Sequence, residues 1–529
     1  MTRVWLGAVL ASLILALPAC GGGSGGAAPS APTDLGVATA SVAPGGQVHP
    51  RSALTIEFGQ PVDAGSLTAD SVVLSDGVSS VPLSVAVDGR TMTVTPSSAL
   101  RLNQAYELTV RGGLRSTVGS TLPSDYRLPF STLRIAYDVR VLVPASDLEG
   151  GGAVRPMIAV ADLDGDGRQD VATVGRLRSH PTDEGYTLQL YRQGASGGVA
   201  PVQRIDKSFG FQVFSVTYPA LVAIDLDLDG VVELVVAEYQ PQPDAAHVDT
   251  WPLTGLRIFS RGSDGRYAES SYLRTAYVRT LDVGDVDGDG HPDLVGTHSM
   301  DSEGQVYGFR DTGYQVFLSR AGGVQALAPV SGLPDIVDAV VLADLDRDGR
   351  LDLLFGQRPG ALVLRGDGHG GFSTDAERSA ALAPICTDYC DTPVVIDANG
   401  DGWLDFLWTS RNRQGVVSAQ DGSYGAWAAL LPASSGVLSP VASDLDGDGR
   451  PDLVYVWSCA TCPAYVTTLF GNDDLQFDQT QADPYEALTW VQGATRAGTA
   501  MADFDGDGRP DMLIAAENAG VVLLRTELE

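Results

Sequence analysis

Seven short acidic blocks recur along the C-terminal three quarters of this 529-residue chain. Each has acids or an amide at positions 1, 3 and 5, glycine at position 6 and an acid at position 9, and each lies between two apolar segments. The first block is the sequence DLDGDGRQD, and it starts at Asp162. The others start 47 to 63 residues apart, at Asp225, Asp285, Asp344, Asp397, Asp444 and Asp503. Such a repeat has room for one four-stranded unit per block, so the pattern predicts a repeated all-β architecture.

The spacing within a block has a physical reason. Carboxylates at positions 1, 3 and 5 of a tight loop point inward at one cation, and the glycine at position 6 permits the backbone angle that turns the loop back. Position 7 then offers its carbonyl oxygen, and the acid at position 9 completes the shell. About six hard oxygen ligands at this density favour Ca²⁺. The blocks therefore predict up to seven calcium sites. They differ from EF-hand loops, in which the last acid stands at position 12 and helices flank the loop.

Two blocks depart from the common pattern. Glu233 replaces aspartate at position 9 of the second block, and Asn399 replaces a carboxylate in the fifth, where we expect weaker binding. At position 7 the side chain varies, because only the backbone is expected to bind there, and this holds for His291 as well. The predicted metal ligands are Asp162, Asp164, Asp166, Arg168, Asp170, Asp225, Asp227, Asp229, Val231, Glu233, Asp285, Asp287, Asp289, His291, Asp293, Asp344, Asp346, Asp348, Arg350, Asp352, Asp397, Asn399, Asp401, Trp403, Asp405, Asp444, Asp446, Asp448, Arg450, Asp452, Asp503, Asp505, Asp507, Arg509 and Asp511.

Further apolar strands follow each block. After the fourth block these are 351–355 and 361–364, followed by the turn 366–372 (GDGHGGF). Together with the acidic blocks they resemble FG-GAP/VCBS repeats, whose blades build integrin-α-type propellers with calcium in the loop joining a blade's first two strands. The resemblance covers roughly Leu133 to the end of the chain. It implies an all-β fold in which residues 134–529 form a seven-bladed β-propeller.

The count of seven agrees with closure of the ring. After the seventh block only two strands remain, around 512–516 and 520–524. The apolar segment 135–143 (IAYDVRVLV) precedes the first block and has no blade of its own. We expect it to supply the missing outer strand, which would seal the ring by pairing the two ends of the domain.

The segment from 34 to 133 has a different pattern, of short alternating strands separated by turns. Asp88-Gly89, for example, makes a tight hairpin turn into the strand 91–95. About seven strands in a hundred residues indicate an antiparallel sandwich. Residues 56–63 (IEFGQPVD) and 95–110 (TPSSALRLNQAYELTV) resemble the bacterial Ig-like domains of surface-layer type, which usually act as spacers. We therefore predict an Ig-like β-sandwich ahead of the propeller.

The N-terminus has the pattern of an export signal. Arg3 is followed by an almost wholly apolar run, 4–17, and then by the sequence LPAC, which resembles a bacterial lipobox. We predict a lipoprotein signal peptide at 1–19, lipidation of Cys20 and a flexible linker at 20–33. Because glycine and not aspartate follows Cys20, we expect an outer-membrane or cell-surface position. The alternative is an ordinary cleaved signal with a chance cysteine.

Four further cysteines form two close pairs, Cys386 with Cys390 and Cys459 with Cys462. In an exported protein these indicate two local disulfides that pin loops. The alternative is a zinc site built from both pairs, although the surrounding acids favour metals with oxygen ligands.

The charge balance excludes one class of partner, since a formal net charge of −32 repels nucleic acid. Three functions remain open: a surface module for binding or adhesion to a protein or glycan, a calcium-dependent polysaccharide lyase-like enzyme, and a purely structural envelope protein. We favour binding and predict no catalytic residues, because there is no nucleophile motif and no obvious histidine pair. The cysteine loops, with Tyr389 and Trp457 nearby, are the best candidates for ligand contact; the alternative is that they are cross-linked only for protease resistance. The lipid anchor is the one membrane contact we expect.

Overall fold

The computed structural model describes residues 34–145, 157–176, 185–208, 220–238, 255–275, 278, 280–298, 313–333, 336–357, 361–382, 394–398, 400–409, 414–417, 419–420, 423–424, 428–429, 436–437, 441–445, 450–458, 464–471, 479–485, 498–516 and 520–529. Its contacts divide the chain into two units between Thr132 and Leu133. In the described ranges no helix is both long and apolar enough to cross a bilayer. Some predicted residues lie outside those ranges, namely Cys20, Cys386, Tyr389, Cys390, Asn399, Asp446, Asp448, Cys459 and Cys462.

The first unit contains nine strands and one 3-10 turn, Ala64–Ser66. The strands are β1 (Val37–Ala40), β2 (Gly46–Val48), β3 (Leu54–Phe58), β4 (Val72–Ser75), β5 (Ser80–Val81), β6 (Leu83–Asp88), β7 (Thr91–Pro96), β8 (Ala105–Val110) and β9 (Tyr126–Thr132). They form two sheets, with the strand orders β1-β3-β7-β6 and β2-β9-β8-β4-β5. All pairs are antiparallel except β2 with β9.

Both sheets of the first unit share one apolar core. Along β3, Leu54, Ile56 and Phe58 are buried and alternate with more exposed neighbours. Met92 of one sheet and Leu108 of the other belong to the same buried cluster. The unit is therefore a β-sandwich of the predicted Ig-like kind, in which period-two alternation directs one face of each strand into the core.

The second unit contains the acidic blocks and seven larger sheets within the described ranges. Strand β10 (Ile135–Val143) comes first in the chain. Sheet I has β11 (Met157–Ala161), β12 (Asp170–Arg176), β13 (Gly185–Gln193) and β14 (Val199–Ser208); sheet II has β15 (Leu221–Ile224), β16 (Glu233–Glu238), β17 (Gly255–Arg261) and β18 (Tyr267–Arg274); sheet III has β19 (Thr280–Gly284), β20 (Asp293–His298), β21 (Gly313–Arg320), β22 (Gly323–Ala326) and β23 (Val330–Ser331).

The remaining sheets follow in chain order. Sheet IV has β24 (Ile336–Ala343), β25 (Asp352–Gln357), β26 (Ala361–Gly366) and β27 (Phe372–Thr374), followed by the helix α1 (Ala376–Leu382); sheet V has β28 (Val394–Ile396), β29 (Asp405–Thr409), β30 (Gln414–Val417) and β33 (Ala428–Ala429), beside a separate pair β31 (Ala419–Gln420) and β32 (Ser423–Tyr424). Sheet VI has β34 (Gly436–Val437), β35 (Val441–Ser443), β36 (Asp452–Ser458), β37 (Ala464–Phe470) and β38 (Gln479–Tyr485); sheet VII has β39 (Gly498–Ala502), β40 (Asp511–Ala516) and β41 (Gly520–Leu528), together with β10.

One plan repeats in all seven sheets. An acidic block connects an antiparallel pair of strands, and the second strand of that pair begins at the position-9 acid of the block. Those strand-opening acids are Asp170, Glu233, Asp293, Asp352, Asp405, Asp452 and Asp511. The acidic blocks are therefore the turns between paired strands, as the flanking apolar segments predict.

Sheet VII is assembled from both ends of the second unit. Its strand order is β10-β41-β40-β39, and β10 pairs antiparallel with β41 from Ile135 opposite Leu528 to Val143 opposite Val521. The prediction that 135–143 supplies the outer strand of the last sheet is therefore confirmed.

Buried side chains pack each sheet against the next in chain order. Separate clusters join sheets I and II, II and III, III and IV, and IV and V. Strands β28, β35 and β39 lie in contact and connect sheets V, VI and VII. Finally, Phe504 and Leu513 of the last repeat share a cluster with Ile158 and Val171 of sheet I. The last sheet therefore contacts the first.

Candidate metal-binding loops

The first carboxylate of a block organises the turn that follows it. Asp162 Oδ1 accepts a hydrogen bond from the Gly165 N–H at 2.7 Å, and its Oδ2 accepts one from the Gly167 N–H at 2.8 Å. The bond from the position-6 glycine recurs at 2.8–2.9 Å in the second, third, fourth, fifth and seventh blocks. The position-6 glycines of these six blocks have φ between 82° and 89°. This is the left-handed angle that the sequence pattern predicts for a glycine.

The acid at position 9 is buried in every block and is at most 7% exposed. One of its oxygens accepts the N–H of position 2 in all seven blocks, at 2.8–3.1 Å. In five blocks the other oxygen accepts a backbone N–H at or beside the end of the third strand, at 2.7–3.0 Å. Position 9 therefore fastens the loop to its own sheet, which is a contact that the metal-ligand prediction did not include.

The buried position-9 acids hold their protons more tightly than free carboxyl groups do. Burial raises the pKa of Asp352 and of Asp511 to about 6, and neighbouring carboxylates of the same loops contribute to the rise. Burial also raises the pKa of Asp170, Glu233 and Asp293. The smaller part of each shift that comes from neighbouring carboxylates is repulsion that a bound cation would offset.

In five blocks, three acids bring oxygen atoms within 4.8 Å of one another. The groups are Asp162, Asp164 and Asp170; Asp225, Asp227 and Asp229; Asp285, Asp287 and Asp289; Asp344, Asp346 and Asp348; Asp503, Asp505 and Asp511. Such groups could hold a metal ion, and their oxygen-only donors fit a hard cation such as Ca²⁺. Position 9 belongs to the group in the first and seventh blocks, and position 5 takes that place in the other three. For the fifth and sixth blocks the described residues do not include all the acids or amides.

Position 7 contributes more than its backbone. In six blocks its N–H donates to the position-5 carboxylate at 2.8–2.9 Å. Nδ1 of His291 also lies 3.4 Å from the Leu226 carbonyl oxygen of the preceding block. The Trp403 ring centroid lies 5.0 Å from the guanidinium carbon of Arg347, again in the preceding block. Two position-7 side chains, those of His291 and Trp403, therefore reach the preceding block, a contact that the expectation of backbone binding alone did not include.

The carbonyl oxygen at position 2 connects neighbouring sheets. Leu163 O accepts from Arg261 Nη1 of sheet II at 3.1 Å, and Val286 O accepts from the Gly370 N–H of sheet IV at 3.2 Å. Phe504 O of the seventh block accepts from Gln193 Nε2 of sheet I at 2.5 Å. In these three blocks the N–H of position 2 donates a hydrogen bond within its own sheet, and its carbonyl oxygen accepts one from another sheet. Each of these loops is therefore part of a junction between sheets.

Arginines from the third strands pair with the acids of four blocks. Arg192 pairs with Asp164, Arg320 with Asp287 and Asp289, Arg365 with Asp346, and Arg525 with Asp505. At position 7, Arg168, Arg350 and Arg509 pair with the position-5 acids of their own blocks. Sequence reasoning missed the third-strand arginines, because they lie well outside the nine-residue pattern.

The fold and the loops define a β-repeat chain with oxygen-lined acidic turns, and two family models match parts of it. Residues 32–132 match the bacterial Ig-like domain model. Residues 285–355 and 397–455 match the FG-GAP-like repeat model. No curated protein matches the chain.

Several solved structures have weak overall likeness to this chain. One, on specific recognition of non-reducing terminal N-acetylglucosamine by an Agrocybe aegerita lectin, is 13% identical, with 87% of this chain and 94% of that chain covered and a TM-score of 0.33. A mutant of AofleA from Arthrobotrys oligospora is 10% identical, with coverages of 70% and 92% and a TM-score of 0.34. A Photorhabdus luminescens Tc holotoxin pore is 13% identical, with coverages of 90% and 18% and a TM-score of 0.31. Likeness at this level carries no inference about the present chain.

Proposed function

We propose that this chain is a lipid-anchored bacterial surface protein whose second unit is a seven-bladed, calcium-stabilised β-propeller that binds a protein or glycan. The observation that carries the proposal is that every acidic block lies at the same place in its sheet, where it connects two antiparallel strands. The match to FG-GAP-like repeats and the match to a bacterial Ig-like domain both support a surface or binding protein. The contact between sheets VII and I supports closure of the ring.

Calcium would be held by the carboxylates of the acidic groups. Its chemistry there is charge compensation and cross-linking of the loop, because Ca²⁺ accepts many oxygen ligands in flexible geometry. The chain supplies the rest: position 1 shapes the turn, and position 9 connects the loop to two strands of its sheet. The role proposed for the metal is therefore structural, and the ligand-binding surface lies elsewhere on the unit.

The proposed location rests on the sequence pattern around Cys20. In this proposal the lipid on Cys20 holds the chain at the outer membrane or cell surface, and the Ig-like unit acts as a spacer. A Cys20→Ser variant should move from the membrane fraction to the soluble fraction of the producing cell. Retention of that variant in the membrane fraction would contradict the lipid anchor.

We propose binding without catalysis and without nucleic acid as a partner. The acidic balance of the chain opposes nucleic acid, and its sequence offers no nucleophile motif. Screening on glycan and cell-surface arrays tests the proposal. Retention on a defined glycan or protein supports it, whereas turnover of an acidic polysaccharide would replace it with the lyase reading.

Calcium titration tests the metal proposal. In the full chain carrying Cys20→Ser, calorimetry should find several calcium ions bound per chain, and EDTA should lower the melting temperature substantially. Asp285→Asn removes the position-1 carboxylate of one block and should reduce the stoichiometry by one. Asp76→Asn, on a turn of the Ig-like unit, is the matched control and should leave the stoichiometry unchanged. No binding and an unchanged melting temperature would overturn the calcium proposal.

A further inference from the structure

Four acidic blocks have a positively charged side chain from outside the block beside the metal-binding loop. Each receives an arginine from the third strand of its sheet, and that arginine pairs with the position-3 acid: Arg192, Arg320, Arg365 and Arg525. The position-3 acids are sheltered, with side chains between 9% and 20% exposed. Guanidinium groups placed here offset the mutual repulsion of the loop carboxylates.

The second block lacks this compensation. Among the described residues Asp225, Asp227 and Asp229 have no ion pair, and position 7 is Val231 rather than an arginine. The arginine at the end of its third strand, Arg261, turns instead to the first block, where Nη1 donates to the Leu163 carbonyl. Arg261 is not the equivalent of those arginines, because Arg192, Arg365 and Arg525 each directly follow the residue paired with the second residue of the strand that opens at position 9, and Ser260 has that place in sheet II. Within the described part of the chain, the acids of this loop therefore have no cation beside them.

We propose that the third-strand arginines are built-in counter-cations, so that among the five fully described blocks the second binds calcium first and most tightly. This inference rests on the calcium binding proposed above. A divalent ion entering the first, third, fourth or seventh block meets a guanidinium already paired with a prospective ligand and must displace it or remain beside it. Both alternatives weaken binding, because like charges repel strongly at such separations. The second block imposes no such cost.

The arrangement also has a consequence for the calcium-free protein. Loops paired with a third-strand arginine keep part of their charge compensated when the metal leaves, whereas the second loop does not. Removal of calcium should therefore loosen sheet II before its neighbours, and amide hydrogen exchange around Asp225 should increase more than around Asp287.

Arg320 is the sharpest position for a test, because this one side chain pairs with both Asp287 and Asp289. In the full chain with Cys20→Ser, calorimetric calcium titration of Arg320→Gln should tighten one site about tenfold or more. Arg320→Lys keeps the positive charge and should retain the weak site. The matched control is Arg204→Gln, which removes an arginine of comparable exposure that pairs with Asp206, away from every block. This control should leave all affinities unchanged.

Asp227→Asn assigns the site of the second block, and the ion that it removes should bind more tightly than the ions removed by Asp164→Asn, Asp287→Asn, Asp346→Asn and Asp505→Asn. If Arg320→Gln leaves every affinity unchanged, or if the ion removed by Asp227→Asn is not the tightest of these five, the counter-cation inference is wrong even though calcium binds. If neither the parent chain nor any variant binds calcium, the proposed function itself fails. Melting of each variant in EDTA reports folding separately, and Arg320→Gln should melt below Arg204→Gln because its metal-free loop has lost the guanidinium that offsets its acids.

Discussion

At the scale of single residues, the acidic blocks contain a backbone strain that glycine usually relieves. Position 4 has positive φ in the described blocks, and most of them place glycine there. Leu228 of the second block occupies this position with φ 58° and is 56% exposed, and Arg347 of the fourth block has φ 61°. A left-handed angle costs any residue with a Cβ free energy, and with more than half of Leu228 exposed, little packing offsets that cost.

Leu228→Gly should raise the free energy of unfolding of the metal-free chain by about 0.5–1 kcal/mol, since relief of strain outweighs the added backbone entropy of the unfolded state. The matched reverse change is Gly506→Ala at φ 77°, where an added Cβ meets no atom within 4 Å. It should lower the free energy of unfolding by about 1 kcal/mol. Thermal melting in EDTA measures both. A loss of stability in Leu228→Gly would show that the leucine makes a favourable contact.

Asp282, which is not one of the predicted metal ligands, makes the free energy of unfolding depend on pH. It accepts hydrogen bonds from the Leu342 N–H of sheet IV at 2.7 Å and from the Val283 N–H at 2.9 Å, and burial raises its pKa above 3.8. Because the folded-state pKa is the higher one, the folded state binds the proton more tightly. The resulting stabilisation is present at low pH and is lost as the pH rises through the folded-state pKa.

We therefore expect the melting temperature of the parent chain to fall, relative to that of Asp282→Asn, as the pH rises from about 4 to about 7. The comparison is made in EDTA, so that metal binding does not contribute. Asp206→Asn, which changes an exposed aspartate on β14, should track the parent chain over the same range. A constant difference between parent and Asp282→Asn would contradict the direction of the shift.

At the scale of elements, Gln193 fastens the end of β13 in two directions. Its N–H donates to Asp170 Oδ1 at 2.8 Å, and its Nε2 donates to the carbonyl oxygen of Phe504 in the seventh block. The side chain is buried, so its amide has no water to replace these partners. One residue thus joins the first acidic loop to the last.

Gln193→Leu keeps a similar volume but leaves the Phe504 carbonyl without its donor. The expected cost is about 1–3 kcal/mol of unfolding free energy, the usual range for a buried polar group left unsatisfied. Gln325→Leu on the exposed part of β22 is the control and should change stability by less than about 0.5 kcal/mol. Equal melting temperatures for both variants would show that the junction between sheets I and VII does not depend on this bond.

The elements themselves were largely predictable from sequence, but the junctions between them were not. Apolar runs on both sides of Asp162 and Asp511 predict a strand, a turn and a strand, and the angle at Gly167 follows from the block pattern. The buried role of Asp170 and the reach of Arg261 and Gln193 depend on which strands become neighbours in space. A nine-residue motif does not specify contacts with residues far away in the sequence. The hydrogen bond of Gln203 with Tyr267 spans 64 positions, and that of Gln193 with Phe504 spans 311.

At the scale of the whole molecule, two units have separate apolar cores, and the second depends on both of its ends. Strand β41 pairs with β10 on one side and β40 on the other. Its residues Val521 and Leu523 belong to the cluster that joins sheet VII to sheet I. Loss of β41 therefore separates β10 from β40 and removes side chains that pack the last sheet against the first.

Truncation before Gly520 should abolish the cooperative unfolding of the second unit and leave the Ig-like unit folded. Limited proteolysis with mass spectrometry should then recover a protected fragment close to residues 34–132 and no protected fragment from 134–519. Removal of Glu529 alone is the control and should leave both units protected. Survival of a protected second unit without β41 would show that sheet VII does not need its central strand.

The pairing of β10 with β41 also fixes where the second unit can be joined to other chains. Backbone hydrogen bonds connect Arg134 and Glu529 in both directions, at 2.8 and 3.0 Å, so the two ends of this unit emerge side by side. A linker of very few residues would connect them, which makes the unit suited to circular permutation with new ends opened between sheets. For the same reason, a reporter fused after Glu529 would emerge beside Arg134, at the start of the same unit.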